Sequence, residues 1–301
     1  MHRNHDWTET RKYSARLGQD RADFERTTKG AQLKIGNDHE FIRVLEDLIL
    51  NRKLSPAAAL STIKRENIKL KTEVSLRTLY HYIDMGLFPH LTNKHLPYRG
   101  KRQNAYRKVK PVKSPPRGTP IDKRPAVIDG RGEFGHWEMD SVIGKSVKGE
   151  TLLVFTERKT RFELIFRSKD KTAASTVCIL NKLEQRFGRC AFKAVFKSIT
   201  CDNGPEFSDH YHMELSIFGN SQRTKVYYCH PYCSFERGSN ENQNRIIRRF
   251  IKKGTAIATY SDAKLIDTQD YLNNMPRKIL AWKTASELFF SELAALGIKY
   301  F

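Results

Sequence analysis

The stretch GHWEMDSVIGKSVKGETLLVFTERKTRFELIFRS, residues 135–168, decides the fold class of this chain. It contains three runs rich in β-branched and aromatic residues, and two similar runs follow it. Each run predicts a strand: GHWEMDSVIG (135–144), TLLVFTERKT (151–160), RFELIFRS (161–168), AVFKSITCD (194–202) and TKVYYCH (224–230). Apolar residues at helical spacing in 172–187 predict a helix between the third and fourth strands. With helices after the last two strands, the order β-β-β-α-β-α-β-α predicts a mixed α/β domain.

An acidic residue lies inside the first of these strands, at Asp140. Strand alternation places it on one face together with His136 and Glu138. The opposite face then carries Trp137 and Met139. A carboxylate among strand residues is costly to bury unless a partner compensates its charge, so Asp140 is either a paired core acid or a functional group.

Two further acids stand out by position. Asp202 ends the fourth strand in SITCDNGPEF, where Asn-Gly forces a sharp turn, and Glu241 lies near the start of a helix in RGSNENQNRIIRRF. Separately, Asp202 is explained as a turn former and Glu241 as an acid that complements the helix dipole. Together with Asp140 they predict a site for two Mg²⁺ ions, which prefer oxygen ligands and assist phosphoryl displacement in pairs.

The charge of the chain indicates a polyanionic partner. The 301 residues include 54 Lys+Arg against 33 Asp+Glu, for a net charge of +21. This balance favours nucleic acid over the alternative of a solvated basic surface. An aromatic content of 11% excludes a wholly disordered chain. No run of about 18 apolar residues occurs, and the N-terminus lacks an apolar signal stretch, so we expect no membrane partner and a cytoplasmic, nucleoid-associated protein.

Residues 38–92 predict a helix-turn-helix region. Apolar spacing in HEFIRVLEDLILNRKL predicts one helix, Ser55-Pro56 opens a second, and Ser75 caps a third that ends at Gly86. The face of the third helix assigned to the core comprises Leu76, Leu79, Tyr80 and Ile83. The outward face comprises Arg77, Thr78, His81 and Tyr82, of which we expect Arg77, Thr78 and His81 to contact DNA. The alternative for such a three-helix unit is a protein contact.

The segment 93–128 predicts a basic, proline-rich linker. Eight basic residues and no acid occur from Arg99 to Arg117. Like charges keep such a segment extended until phosphates neutralise it. Its candidate DNA contacts are Arg99, Lys101, Arg102, Arg107 and Lys108.

Five motifs, GHWEMDSVIGK, TERKTRF, ITCDNGPEF, ERGSNENQNRIIRRFIKKG and LNNMPRKILAWKTASE, resemble in this order those of the DDE transposases of the insertion sequence 30 family. The stretches LSPAAALSTIKREN, VSLRTLYHYID and GTPIDKRPAVIDGRGEFGHWE are also similar, so the resemblance covers roughly residues 40–290. It implies an α+β protein in which 129–301 form a ribonuclease H-like catalytic core of the retroviral integrase type, with a mixed five-stranded sheet. Because relatives carry an additional helix-turn-helix, 1–37 is expected to be the remnant of a truncated first one.

The resemblance also implies the catalytic residues. Asp140, Asp202 and Glu241 form the triad and hold the two Mg²⁺ ions, for which Mn²⁺ substitutes. Glu206, in DNGPEF, is the competing third acid. We disfavour Glu206 because it lies only four residues beyond Asp202, whereas Glu241 begins a separate helix that can cross the sheet.

The activity implied is DNA strand cleavage and strand transfer of an insertion element. Its partners are double-stranded DNA, as terminal inverted repeats and target, and further copies of the chain in a homo-oligomer on that DNA. Residues expected to contact DNA in the core are Arg237, Asn240, Asn244, Arg245, Arg248 and Arg249, with a solvated helix face as the alternative for the arginines.

Three other interpretations remain open from the residues. The chain is alternatively a non-catalytic DNA-binding protein, either repressor-like or a defective transposase that binds element ends. A ribonuclease acting on RNA–DNA hybrids shares the metal chemistry but explains the helix-turn-helix poorly. A zinc site is a further alternative, built from residues of the right ligand types: His210, His212, Cys229 and Cys233.

Overall fold

The computed structural model describes residues 2–3, 5–10, 14–28, 33–36, 38–97, 118–145, 149–230, 236 and 238–299. The chain divides into two compact units, Met1–Gly100 and Lys101–Phe301. No helix in the described part of the chain is long and apolar enough to cross a membrane. The linker contacts expected at Arg99, Lys101, Arg102, Arg107 and Lys108 lie outside the described residues, as does Arg237.

The first unit is mainly helical. Its elements are β1 (His2–Arg3), β2 (Glu9–Thr10), α1 (Ala15–Thr28), α2 (His39–Glu46), α3 (Pro56–Arg65) and α4 (Leu76–Asp84). Helix α2 continues into a π-helical turn, Asp47–Asn51, and a short 3₁₀ turn follows at Asn93–His95. Side chains cap the helices as the sequence predicts: Ser55 accepts from Ala58 N–H, and Ser75 accepts from Thr78 N–H.

Helix α4 buries a different face from the one assigned by its sequence. Leu79, Tyr82 and Ile83 are buried, whereas Leu76 and Tyr80 are exposed. The Tyr82 hydroxyl accepts a hydrogen bond from the Lys34 N–H at 2.9 Å, which satisfies its polar end inside the unit. The assignment of Tyr82 to the outward face was therefore wrong, and Tyr80 takes its place there.

The second unit alternates strands and helices. Its strands are β3 (Thr119–Pro120), β4 (His136–Ile143), β5 (Thr151–Glu157), β6 (Glu163–Ser168), β7 (Ser198–Cys201) and β8 (Lys225–Tyr228). Its helices are α5 (Ala126–Asp129), α6 (Ala173–Phe187), α7 (Arg189–Val195), α8 (His210–Glu214), α9 (Gly238–Phe250), α10 (Asp262–Asn274) and α11 (Ala285–Ala295).

The sheet has the order β3-β8-β7-β4-β5-β6. Strand β5 is antiparallel to β4 and β6, and β4, β7, β8 and β3 are parallel. When the five longer strands, β4 to β8, are numbered 1 to 5 along the chain, their order across the sheet is 3-2-1-4-5. Only strand 2, which is β5, runs antiparallel to the others. This is the ribonuclease H-like arrangement. The expected fold class is confirmed.

The sheet has six strands, however, and not the five expected. Thr119 and Pro120 pair with Tyr227 and Tyr228 at one edge, in a segment that the sequence assigned to the linker. Proline is tolerated there because an edge strand leaves one side of its backbone unpaired. Gly118 allows this close approach, since a Cβ at this position would lie 2.5 Å from the Tyr228 ring. A two-residue strand has no periodicity from which to predict it.

Two apolar layers cover the two faces of the sheet. On one face Trp137 stacks on Phe196 with ring centroids 4.6 Å apart, and its Nε1 donates to the Val195 carbonyl at 2.7 Å. On the other face Val142 and Val154 pack with apolar residues of α9 and α10. The predicted alternation of β4 is confirmed, because Trp137 and Met139 belong to the first layer, whereas Glu138 and Asp140 face α9.

We expect Glu184→Ala to lower the free energy of unfolding by about 3–5 kcal/mol, because it leaves Arg223 as an uncompensated buried charge. Both side chains are fully buried, and Arg223 Nη1 lies 3.0 Å from Glu184 Oε2. Burial lowers the pKa of Arg223, and Glu184 opposes this effect. The measurement is urea unfolding followed by circular dichroism. As a control, Glu292→Ala removes the half-exposed pair with Lys159 and should cost at most about 1 kcal/mol. Equal losses in both variants would contradict the expectation.

Candidate active site

Two of the three predicted catalytic acids lie on neighbouring strands. Asp140 is part of β4 and Asp202 directly follows β7. These strands are parallel, with Glu138 level with Thr200. The pairing ends at Glu138 and Thr200, and extending its register by two residues, past the end of β7, brings Asp140 level with Asp202. Adjacent strands lie about 4.8 Å apart, so this register places the two half-buried acids next to each other.

Helix α9 runs along β4 on this face. The Asn240 N–H donates to Glu138 Oε2 at 3.2 Å, and Asn244 Nδ2 donates to Asp140 Oδ2 at 2.6 Å. Further along, Arg248 donates to the Ile143 carbonyl at 2.7 Å. These contacts match in spacing because four helical residues rise about 6 Å, close to the two-residue step of a strand. Asn240 and Asn244, four apart on α9, therefore meet the alternate residues Glu138 and Asp140, whereas Arg248 reaches the backbone at Ile143, three residues beyond Asp140.

The third predicted acid, Glu241, lies on the first turn of α9, and its side chain is 62% exposed. Its carboxylate is 3.8 Å from the Arg245 guanidinium, one turn further along. Among the described residues, no three His, Cys, Asp or Glu side chains lie close enough together to hold a metal ion. The structure thus places Glu241 on the helix that contacts Asp140, with its carboxylate turned toward solvent.

Glu206, the competing acid, is buried beside Asp202. Its Oε1 accepts a hydrogen bond from the Ser141 hydroxyl and lies 3.2 Å from Lys171 Nζ. Ser141 follows Asp140 in β4, so its side chain points to the face opposite α9. A Cβ on Gly204 would lie 2.5 Å from Glu206 Oε2 and 2.9 Å from Asp202 Oδ1. Glycine at 204 therefore lets two carboxylates approach the same point.

The atoms around the paired aspartates suit a divalent cation. Three oxygens there are buried and have no hydrogen-bond partner among the described residues: Asn203 Oδ1, Glu206 Oε2 and Asn244 Oδ1. Carboxylate and amide oxygens are the ligands that Mg²⁺ and Mn²⁺ prefer. The Asp140 and Asp202 carboxylates, with the amide oxygens of Asn203 and Asn244, are ligands of the type that suits a hard cation better than zinc. Glu206 is bonded to Ser141 and Lys171 on the other face of β4, so we do not count it in this set.

A buried ion pair, which sequence reasoning missed, lies next to the acids. Glu138 Oε1 is 2.7 Å from Arg158 Nη1, and both side chains are almost completely buried. Burial lowers the pKa of Arg158, and the carboxylate of Glu138 opposes this. Arg158 also lies beside Asp129, at 3.9 Å, and donates to the Ile128 carbonyl. The signal in the sequence was the placement of Glu138 on the same strand face as Asp140.

The loop after β8 carries a second charged cluster. His230 Nδ1 contacts Glu236 at 2.7 Å and its Nε2 contacts Asp122 at 3.0 Å. Hydrogen bonds to these carboxylates raise the pKa of His230. Asn203 Nδ2 donates to the Cys229 carbonyl at 2.8 Å, which joins this loop to the turn that holds Asp202.

The residues of α9 expected to contact DNA differ in exposure. Arg245 and Arg249 are exposed, and Arg249 also donates to the Tyr271 hydroxyl at 3.2 Å. Asn244 and Arg248 are half-buried and hold β4. The Asn240 side chain is buried, so the expected DNA contact of Asn240 is not supported. Helical geometry gives the reason: residue 240 is four positions before Asn244, on the face that contacts the sheet.

The zinc alternative is not supported by the residues that the structure describes. His212 Nδ1 contacts the Asp209 carboxylate at 2.8 Å, and Cys229 is buried. Neither belongs to a group of three metal-ligating side chains within the described ranges. Cys233 lies outside the described residues, so the four-residue site itself remains untested.

Curated transposases are similar to this chain over most of its length. It is 35% identical over 216 residues to the probable transposase for insertion-like sequence element IS1161 of Streptococcus salivarius, covering 71% of this chain and 58% of that protein. It is 32% identical over 247 residues to transposase InsI for insertion sequence element IS30C of Escherichia coli (strain K12), covering 79% and 62%. It is 31% identical over 249 residues to the transposase for insertion sequence element IS4351 of Bacteroides fragilis, covering 80% and 70%.

The chain spans 58% and 62% of the lengths of the first two of these relatives. No profile of a known protein family matches it. Among solved structures, the catalytic core domain of BIV integrase is similar with a TM-score of 0.39 and 17% identity, covering 54% of this chain and 98% of that one.

We expect Gly204→Ala to lower the free energy of unfolding by about 1–3 kcal/mol, because the added Cβ forces the carboxylates of Asp202 and Glu206 aside. Urea unfolding of the purified chain measures the change. Gly132→Ala is the matched control, since a Cβ at Gly132 meets no atom within 4 Å. The control should shift stability by less than about 0.5 kcal/mol. Equal stability of the two variants would refute the close approach at Gly204.

Proposed function

The chain belongs to the insertion sequence 30 family of transposases, and we propose from this that it cleaves and joins DNA strands of an insertion element by metal-dependent phosphoryl transfer. The observation that carries the proposal is the placement of Asp140 level with Asp202 beneath the helix that bears Glu241. Substrates are the terminal inverted repeats of the element and its target DNA. Strand transfer joins two ends, so the working form is a homo-oligomer on DNA.

Asp140, Asp202 and Glu241 would hold two Mg²⁺ ions, or Mn²⁺ in their place. Such ions lower the pKa of a bound nucleophile and stabilise the oxygen that leaves phosphorus. Hydrogen bonds orient two of these carboxylates for this role. Asn244 Nδ2 donates to Asp140 Oδ2, and the Gly204 N–H donates to Asp202 Oδ1 at 2.9 Å. Glu241 is exposed and only loosely paired with Arg245, so its side chain can turn toward the aspartates.

The distribution of charge supports a nucleic-acid substrate. A site built from three carboxylates repels phosphate on its own, and exposed arginines next to it reduce that repulsion. Arg245 and Arg249 lie on the exposed face of α9, on the same helix as Glu241. In strand cleavage the nucleophile is water, and in strand transfer it is the 3′-hydroxyl that cleavage releases. Both are attacks on phosphorus that the same acids serve.

The first unit supplies a second DNA-binding surface. On α4 the exposed face carries Arg77, Tyr80 and His81, while Thr78 is half-buried and its hydroxyl lies 2.8 Å from the Ser75 hydroxyl. Arginine, tyrosine and histidine can all hydrogen-bond base edges or phosphates, and a capped, exposed helix after a turn fits the major groove. We assign this face to recognition of the element ends.

The substitutions Asp140→Asn, Asp202→Asn and Glu241→Gln should each reduce nicking of a labelled terminal-repeat duplex by more than about 100-fold. A lost metal ligand costs at least as much as the 10–100-fold typical of outer-shell partners. Asp267→Asn, at an exposed position of α10, is the matched control and should nick at the wild-type rate. The assay uses Mg²⁺ or Mn²⁺, with EDTA as a blank.

Each outcome of this assay separates the alternatives. Binding of the duplex without metal-dependent nicking by the intact chain would indicate a non-catalytic DNA-binding protein. Cleavage of an RNA–DNA hybrid in preference to the DNA duplex would indicate a ribonuclease. Nicking that survives all three substitutions would refute the assignment of the triad.

On α4, Arg77→Ala and Tyr80→Ala should each weaken binding to the terminal repeat by about 1–3 kcal/mol relative to unrelated DNA, because each removes a base-edge contact. Fluorescence anisotropy at fixed salt measures both affinities. Arg43→Ala removes the same charge as Arg77→Ala from an exposed position on α2 and should leave the ratio of the two affinities unchanged. A similar loss of specificity in Arg43→Ala would remove α4 from the recognition surface.

A further inference from the structure

Glu138 is a completely buried acid that the triad does not include. It lies two residues before Asp140 on the same face of β4, level with Thr156 of β5. A buried carboxylate is strongly unfavourable unless a counter-charge and hydrogen bonds satisfy it. Arg158, which directly follows β5, supplies the counter-charge at 2.7 Å from Glu138 Oε1. The pair is fixed to the sheet because the Arg158 N–H also donates to the His136 carbonyl.

The second oxygen of this carboxylate binds the helix that carries Glu241. Glu138 Oε2 accepts the backbone N–H of Asn240, the third residue of α9. The N–H groups of a first helical turn have no acceptor within the helix, and an anion there also complements the helix dipole. Glu138 therefore acts as a cap for α9 that comes from a strand 102 residues away in the chain.

A neighbouring contact ties the same helical turn to the sheet. Arg161, in the turn between β5 and β6, donates from its guanidinium to the Ser239 hydroxyl, and its carbonyl accepts from Gln243 Nε2 at 3.5 Å. Residues 239, 240 and 243 are all on the buried side of α9. Glu241 projects from the opposite side of the same turn, so its position follows from how these buried residues are held.

We propose that Glu138 is a positioning residue for the metal site: its two oxygens join Arg158 to the first turn of α9 and so set the place of Glu241. The inference rests on the proposed function, in which Glu241 is a metal ligand. Glutamate is required because both of its oxygens accept hydrogen bonds. Glutamine has one acceptor and one donor, so in Glu138→Gln either Arg158 or the Asn240 N–H faces an amide NH₂.

Glu163 provides a matched control within the same row of the sheet. It is level with Thr156 of β5, as Glu138 is, and it is also completely buried. Its backbone is held by Asn273 of α10, whose amide oxygen accepts from the Glu163 N–H at 2.8 Å and whose Nδ2 donates to the Glu163 carbonyl at 2.9 Å. Burial raises the pKa of Glu163 well above its usual range, so glutamine resembles its neutral form.

The experiment compares Glu138→Gln with Glu163→Gln in the full chain by two measurements. The first is hydrogen–deuterium exchange of the amides in residues 239–241 without metal. We expect exchange to be at least about tenfold faster in Glu138→Gln, the factor that follows from losing a hydrogen bond to a charged acceptor. Glu163→Gln should exchange at the wild-type rate in this turn.

The second measurement is the Mn²⁺ concentration that gives half-maximal nicking of the terminal-repeat duplex, determined well below the melting temperature of each variant. Glu138→Gln should raise it by about 10–100-fold, with nicking restored at high Mn²⁺, because the ligand remains but is poorly placed. Glu163→Gln should leave it unchanged. A purely structural role of Glu138 would lower the melting temperature without moving the metal requirement.

If Glu138→Gln does not fold, the double variant Glu138→Met/Arg158→Met replaces it, because removing both charges of a buried pair is tolerated better than removing one. Wild-type exchange at 239–241 together with a wild-type Mn²⁺ requirement would overturn the proposal, as would equal effects of Glu138→Gln and Glu163→Gln. Absence of metal-dependent nicking by the unsubstituted chain would instead refute the proposed function, and wild-type nicking by Glu241→Gln would refute the role of Glu241 as a metal ligand. In both cases the exchange result would still report how α9 is held.

Discussion

The contact between strand β4 and helix α9 is the constraint on which the rest of the site depends. Alternate residues of the strand, Glu138 and Asp140, bond to helical residues one turn apart, Asn240 and Asn244. The match works because the two-residue step of a strand is close to the rise of one helical turn. The opposite face of β4 packs Trp137 and its neighbours, so the strand cannot shift by one residue without burying its acids in an apolar layer.

The charges of the second unit, Lys101–Phe301, are divided between buried pairs and exposed residues. Glu138 with Arg158 and Glu184 with Arg223 are buried, mutually compensated and joined to backbone groups, so they specify how the elements dock. On the exposed face of α9, the arginines next to Glu241 are open to solvent and to phosphates. The buried acids Glu138 and Glu184 thus each have an arginine partner inside the unit, whereas the arginines of the exposed α9 face remain accessible.

The success of sequence interpretation depended on how local each feature is. Runs of six to eight residues rich in β-branched and aromatic side chains predicted β4, β5 and β6, since strand propensity is a property of the run itself. The two-residue strand β3 is too short to show a period, and it forms only because Gly118 lets it approach Tyr228. On α4, the side chains of Tyr80 and Tyr82 are equally suited to a core, but only Tyr82 is buried. Its hydroxyl accepts a hydrogen bond from the Lys34 N–H, which satisfies its polar end. Glu138 was noticed only as a neighbour of Asp140, since Arg158 is distant in sequence.

The sequence by itself determined the succession of the five longer strands, the capped helices and the family, because each rests on strand propensity, turn chemistry or ordered motifs. The three acids of the site are a prediction from the same motifs. Tertiary structure alone decided which residues meet: Asp140 lies level with Asp202, Asn244 orients Asp140, and Glu138 caps a helix from another part of the chain. It also decided that Asn240 faces the sheet. Such pairings depend on strand register and helix rotation, which are set by packing over the whole domain and leave no mark within a window of neighbouring residues.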